Sequence, residues 1–191
     1  MLIVPLETPR LVLRRFSQED LKDFFSYACH PQVGPCAGWK PHFSISESRQ
    51  ILKSFIERDE VWAITLKSTG ALIGSIGLHK DDGRSVSVKR VRSMGYALSA
   101  AHWGNGYATE AARRVLRYVF SEMENPPEMI SICHKDFNTR SRRVINKCGF
   151  KFEGVIRKAY EDPWFGVTDR WSYSMTGREW LQTVFADQQS L

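Results

Sequence analysis

Apolar positions recur along this chain with two periods, and the switches between them mark its elements. Leu11, Leu13 and Phe16 alternate with arginines in a strand-like stretch over 10–16. Ser17 then stands as an N-cap, with Asp20 three residues on in capping-box position. The helix that follows shows Leu21, Phe24, Phe25 and Ala28 on one face and ends before Pro31. A loop bearing Pro35, Gly38 and Pro41 leads to a second helix over 46–59, whose apolar stripe is Ile51, Leu52, Phe55 and Ile56. Next come two β-rich runs, 61–67 and 72–79, split by Ser68-Thr69-Gly70 as in a hairpin. Residues 84–92 alternate Arg and Lys with Val86, Val88 and Val91, the pattern of a solvated connection or strand, and 93–98 is a further strand. Ala111, Ala112, Val115, Leu116, Val119 and Phe120 restore helical spacing as far as Asn125-Pro126-Pro127. The remainder reads as a strand (129–134), a helix (139–148) closed by Gly149, two strands (150–157 and 168–175) and a helical tail. The order β-α-α-β-β-β-α-β-α-β-β argues an α/β (α+β) fold, a mixed sheet with helices on both faces.

Composition narrows the class. With 191 residues, 42% hydrophobic and 25% charged, the chain can bury a core and shows no disorder signature. Twenty-seven Lys+Arg against 21 Asp+Glu leave +6, which favours anionic ligands without choosing between a nucleotide and a nucleic acid. No apolar run nears the roughly 20 residues of a membrane helix. The opening seven residues lack the basic region of a signal peptide, so a soluble cytoplasmic protein without membrane partners is expected. Cys29, Cys36, Cys133 and Cys148 form no C-x-x-C pair, and the five histidines have no ligand spacing, so no metal is expected.

The chemistry concentrates in the strand-to-helix turn at His102-Trp103-Gly104-Asn105-Gly106-Tyr107-Ala108-Thr109-Glu110. Glycines there let backbone approach a ligand, and the first N–H groups of the helix have no partner within it. They sit at the positive end of the helix dipole, so Gly104-x-Gly106 fits a pyrophosphate cradle or, more simply, a tight turn needing positive φ. There is no G-x-x-x-x-G-K-[ST] stretch, and a dinucleotide fingerprint fails because its third glycine would fall at Thr109.

These residues carry a resemblance. Met94-Gly95-Tyr96-Ala97-Leu98 followed by Trp103-Gly104-Asn105-Gly106-Tyr107-Ala108-Thr109-Glu110-Ala111 is similar to the acetyl-CoA-binding motif of GNAT acetyltransferases. Asn138-x-x-Ser141, Asn146-Lys147-Cys148-Gly149-Phe150-x-Phe152-Glu153-Gly154 and the opening Thr8-Pro9-Arg10-Leu11-x-Leu13-Arg14 resemble the ribosomal-protein N-terminal acetyltransferase branch. The resemblance covers residues 8 to about 176 and implies one GNAT domain over 1–191, with a short helical tail at 177–191. It implies a sheet splayed between the fourth and fifth strands. There the backbone of Ala97, Leu98 and Ser99 would pair with pantetheine in the manner of an added strand. The pyrophosphate would rest on the N–H groups of Gly104, Asn105, Gly106, Tyr107, Ala108 and Thr109, beside Trp103, and Asn138 would bond the pantetheine. Arg142, Arg143 and Lys147 are available to the adenosine phosphate. One departure is Ala101, where the family motif carries Gln or Arg; His102 is a candidate substitute.

The implied reaction moves acetyl from acetyl-CoA to a primary amine, on a protein N-terminus, a small amine or an amino acid, by direct attack in a ternary complex. Only a neutral amine attacks, and its pKa is about 7.7–8.0 for an α-amino group against about 10.4 for lysine. The resemblance gives Ser141 the role of proton donor to the departing sulfur, against a reading as a helix serine bonded back to a carbonyl. The branch's catalytic glutamate falls on Tyr160, with Glu161 next as a substitute base if the loop shifts by one, and a water chain or Asp169 otherwise. Trp39 and Trp164 lie on loops that would border the acceptor. Glu110 reads as a first-turn carboxylate stabilising the helix dipole. Two alternatives stand beside this reading: a CoA-binding protein without catalysis, and a basic nucleic-acid module built on Lys89-Arg90-x-Arg92 and Arg140-x-Arg142-Arg143. The acceptor's identity is left open, and a homodimer is compatible because related enzymes are often dimers.

Overall fold

The computed structural model describes residues 3–84, 87, 89–162 and 165–188; Val86, Val88 and Trp164 lie outside them. The elements run β1 (Leu6–Glu7), β2 (Leu11–Arg15), α1 (Leu21–Ala28), α2 (Val33–Ala37), α3 (Ile45–Arg58), β3 (Val61–Leu66), β4 (Leu72–Lys80) and β5 (Val91–Leu98). There follow α4 (Tyr107–Arg117), β6 (Met129–Lys135), α5 (Thr139–Lys147), β7 (Lys151–Asp162), β8 (Gly166–Thr176) and α6 (Gly177–Gln188). The chain falls into two compact units, 1–78 with 95–114, and 79–94 with 115–191.

In the first unit the strands are ordered β1-β2-β3-β4-β5. β2 and β3 pair antiparallel from Leu11↔Leu66 to Arg15↔Trp62, and β3 pairs antiparallel with β4. Leu11, Leu13, Trp62, Ile64, Ile73 and Ile76 are buried in its core, and both faces of β3 are covered through Thr65. Ser17 and Asp20 form the expected capping box at the turn leading into α1, Asp20 accepting the Ser17 N–H at 2.8 Å. Its carboxylate is also gripped by both Arg14 amino nitrogens at 2.8 and 2.7 Å. Burial alone would raise that carboxyl, but the Arg14 and Ser17 bonds outweigh it and hold Asp20 below its usual range. The loop expected around Pro35 is helical instead, as α2. Pro35 is only its third residue, where a missing N–H costs nothing, and Gly38 ends it at φ 94°. Ser44 caps α3 by accepting the Glu47 N–H, and Glu47 in return accepts the Phe43 N–H.

The second unit is built on the order β5-β6-β8-β7. β5 and β6 are parallel, but their register covers only Val91↔Met129, Arg92↔Ile130 and Ser93↔Ser131. With the added β1, these are the fourth and fifth strands of the sequence reading, and their paired register ends at Ser93 and Ser131. β8 inserts antiparallel between β6 and β7. Parallel β5·β6 among antiparallel neighbours makes the sheet mixed, as expected. The last hairpin corrects one expectation: Tyr160, Glu161 and Asp162 are not loop but strand. Lys158 adopts φ 55° in a bulge and donates its N–H to the Asp169 carboxylate at 2.8 Å. Past that bulge the ladder resumes at Tyr160↔Thr168.

Candidate functional site

The glycine turn of the first unit is built by support from three sides. Gly104 and Gly106 both take φ 81°, a left-handed conformation that favours glycine. A side chain added at Gly104 would meet nothing within 4 Å, so the turn's outer surface is open there. The Asn105 amide closes the corner from within, donating to the carbonyls of His102 (3.3 Å) and Trp103 (3.1 Å). The first backbone bond of α4 is Glu110 N–H to Gly106 C=O, at 3.0 Å, so the N–H groups of Tyr107, Ala108 and Thr109 precede the helix's own ladder. Nδ1 of His102 is buried without a hydrogen-bond partner beside this turn. Orphan donors, a helix dipole and open space over a glycine suit a diphosphate. Ala101 is exposed, and His102 packs its ring 6.3 Å from that of Tyr107.

The strand leading in is less open than the sequence reading has it. Ser99 N–H donates to Ile73 C=O at 2.8 Å, and a side chain on Gly74 would lie 2.3 Å from the Ala97 carbonyl oxygen. Groups of Ala97 and Ser99 therefore face β4, and Gly74 is required by that close approach. Strand alternation puts the Leu98 groups on the other edge. There the Leu98 carbonyl accepts the Trp103 indole N–H at 2.8 Å, keeping one lone pair. Of the three residues expected to offer backbone groups, Leu98 is the one oriented to do so.

Sequence reasoning undervalued Glu110. One carboxylate oxygen accepts from Thr8 Oγ1 (2.6 Å) and Arg10 N (3.0 Å), the other from Arg10 Nε (2.7 Å). Burial alone would raise this carboxyl; those bonds and the Arg10 charge outweigh it and hold it below its usual range. The Thr8-Pro9-Arg10 opening is thus a clasp on α4. A Thr-x-Arg before a strand, paired with a first-turn glutamate, was the signal available.

In the second unit Asn138 is the N-cap of α5. Its Oδ1 accepts the Ser141 N–H at 3.1 Å, which places Ser141 third in the helix rather than in its interior. Arg142 lies over the Trp171 ring at 5.3 Å, and Arg143 and Lys147 are exposed. Tyr160 and Glu161 point to opposite faces of β7. Glu161 is exposed, while the Tyr160 hydroxyl lies 3.5 Å from Cys133 Sγ. Burial and Cys133 push the Tyr160 phenol well above its usual range, so it stays protonated and can act as a donor, not as a base. Asp169 is committed to the Lys158 bulge. The sequence reading missed His134, which is buried and stacked on Trp171 and Tyr173. Its Nδ1 lies 2.7 Å from the Lys135 carbonyl and therefore carries the proton, leaving Nε2 to accept from Tyr173 Oη at 3.3 Å. Burial lowers its pKa and keeps it neutral.

A family model described as the acetyltransferase (GNAT) domain matches residues 10–151. The uncharacterized N-acetyltransferase YoaA of Bacillus subtilis (strain 168) is 31% identical over 159 residues, 80% of this chain and 86% of that protein. Among solved structures, a GNAT-family acetyltransferase from Bacillus anthracis superposes with a TM-score of 0.81 at 23% identity, covering 92% of this chain and 99% of that one. The spermidine N-acetyltransferase of Vibrio cholerae, in complex with CoA and spermine, gives 0.75 at 18% identity, over 91% and 99% of the two chains. At those identities the structural likeness speaks for the fold.

Proposed function

Because the chain belongs to the GNAT acetyltransferase family, we propose that it transfers acetyl from acetyl-CoA to a primary amine by direct attack in a ternary complex. The observation that carries this reading is the Gly104-Asn105-Gly106 corner, whose left-handed glycines precede the unpaired amides of Tyr107, Ala108 and Thr109. Those amides would hold the diphosphate, and the outward edge of Leu98 would pair with pantetheine. Acetyl-CoA supplies an activated thioester; the chain's task is to orient it, receive one proton from the amine and deliver one to sulfur. A thiol leaves with a pKa of about 8.5, so a hydroxyl suffices as donor. Ser141, third in a helix begun by Asn138, is assigned that role, its hydroxyl giving a proton to sulfur and regaining one from water. Tyr160, locked in its protonated form, fits hydrogen-bond donation to a bound acceptor or carbonyl. The amine's proton then leaves through water or the exposed Glu161. An acceptor with an α-amino group is partly neutral at physiological pH and makes the smaller demand on a base.

The test is free-thiol release from acetyl-CoA against polyamines, amino acids and peptides with free N-termini, alongside calorimetry of acetyl-CoA. Turnover on one acceptor class supports the proposal. Tight binding without turnover on any amine would favour a CoA-binding protein that transfers nothing, and no binding would remove the cradle.

A further inference from the structure

We infer that Arg10 is the positioning residue of the cradle: it anchors the Asn105 peptide so that the Gly106 amide faces the diphosphate, and it cancels the Glu110 carboxylate beside that anion. The inference rests on the coenzyme reading above and adds to it a residue outside the glycine motif.

Between Ala100 and Ala112 the chain has no lysine or arginine, so the cradle carries no strong cation of its own. One arrives from the start of β2. The Arg10 guanidinium donates through Nε to Glu110 at 2.7 Å, while its NH1 donates to the Asn105 carbonyl at 3.0 Å. Its carbon lies 4.5 Å from the Tyr107 ring centroid, and its NH2 would sit 3.5 Å from a side chain added at Gly106. Four features of one turn are therefore referred to one side chain.

The consequence follows from peptide planarity. In a trans peptide the C=O of one residue and the N–H of the next point in opposite directions. A bond that draws the Asn105 carbonyl onto Arg10 turns the Gly106 N–H away from the guanidinium, to the side where an acceptor can reach it. With glycine at 106 the backbone alone resists a peptide flip weakly, so the anchor decides the orientation.

Charge supplies the second half. Glu110 stays ionised, being held below the usual carboxylate range, and it stands in the first turn where the diphosphate would lie. Left bare it would repel that anion. Arg10 pairs with it at 2.6 Å, and the Thr8 hydroxyl and Arg10 N–H occupy its other oxygen. The clasp converts an electrostatic liability into a fixed support.

Calorimetry with two ligands tests this, acetyl-CoA and S-acetylpantetheine, which lacks the diphosphate. Arg10→Ala should weaken acetyl-CoA by about 10- to 100-fold, the scale of one charge-assisted hydrogen bond, and leave S-acetylpantetheine unchanged. Glu110→Gln added to Arg10→Ala should recover part of the loss, since it removes the bare carboxylate but not the lost anchor. Arg10→Lys keeps the charge but cannot span Glu110 and Asn105 together, so it should fall between wild type and Arg10→Ala. Equal losses on both ligands would mark Arg10 as merely structural. Wild-type affinity in folded Arg10→Ala or Arg10→Lys would overturn the inference while leaving the cradle standing. Failure of the wild type itself to bind acetyl-CoA would instead overturn the coenzyme reading, and the inference with it.

Discussion

The glycine turn before α4 and the β7–β8 hairpin are both candidate reaction surfaces, and they are made on different plans. The turn exposes backbone: its side chains, Asn105, Trp103 and Glu110, are spent on holding the loop, and the groups left at the start of α4 are amides. The hairpin exposes side chains whose meaning depends on register. The Lys158 bulge sends Tyr160 to the face of Cys133 and Glu161 to the other. A backbone site tolerates drift in most side chains and depends on a few glycines and their clasp. A side-chain site can change its chemistry with a one-residue slip.

The largest effect is expected of Gly106→Asp. It forces a left-handed φ on a residue with a side chain and sets a carboxylate against the diphosphate. Acetyl-CoA affinity should fall by about 100-fold or more, because strain and like charge act together. Calorimetry on the folded variant checks this, and unchanged affinity would end the cradle assignment. Gly74→Ala comes next. Its methyl would overlap the Ala97 carbonyl, so overpacking should cost about 1–3 kcal/mol. Thermal unfolding should then begin several degrees lower, and an unshifted Tm would deny the close approach of β4 to β5's end.

Much of this was legible in the sequence. Period changes located nearly every helix and strand, and the paired glycines marked the left-handed turn before α4, because positive φ and helix initiation are written locally. Other features depend on partners distant in the chain. Thr8 and Arg10 lie about a hundred residues from Glu110, and no local pattern states that they meet. Tyr160 and Glu161 were identifiable as candidates, but their faces depend on a bulge that Asp169 stabilises from the next strand. The helix α2 escaped because its proline reads as a breaker unless its place in the first turn is known. His134 escaped because its tautomer is fixed by the Lys135 carbonyl and its setting by Trp171 and Tyr173 of another strand, which no local pattern states.

Ser141→Ala probes a side chain rather than the backbone of the turn. Turnover should drop by about tenfold or more while acetyl-CoA affinity holds, the mark of a proton donor. A parallel loss of affinity would make Ser141 a binding residue instead. The smallest effect concerns pH. Glu110's carboxyl is depressed in the folded chain, so its stabilisation is complete above its ordinary pKa of 4.5 and is lost as pH falls through the folded value. Wild-type Tm should therefore decline more steeply below that point than the Tm of Glu110→Gln. Parallel curves would show that the clasp contributes nothing through charge.

The claim on which the rest depends is that backbone amides of the Gly104–Thr109 corner receive the diphosphate. Titration of the ¹⁵N-labelled protein with acetyl-CoA reads those amides one by one. The resonances of Gly106, Tyr107, Ala108 and Thr109 should move together and saturate, while S-acetylpantetheine leaves them in place. Saturable binding of acetyl-CoA with those resonances unmoved would contradict it.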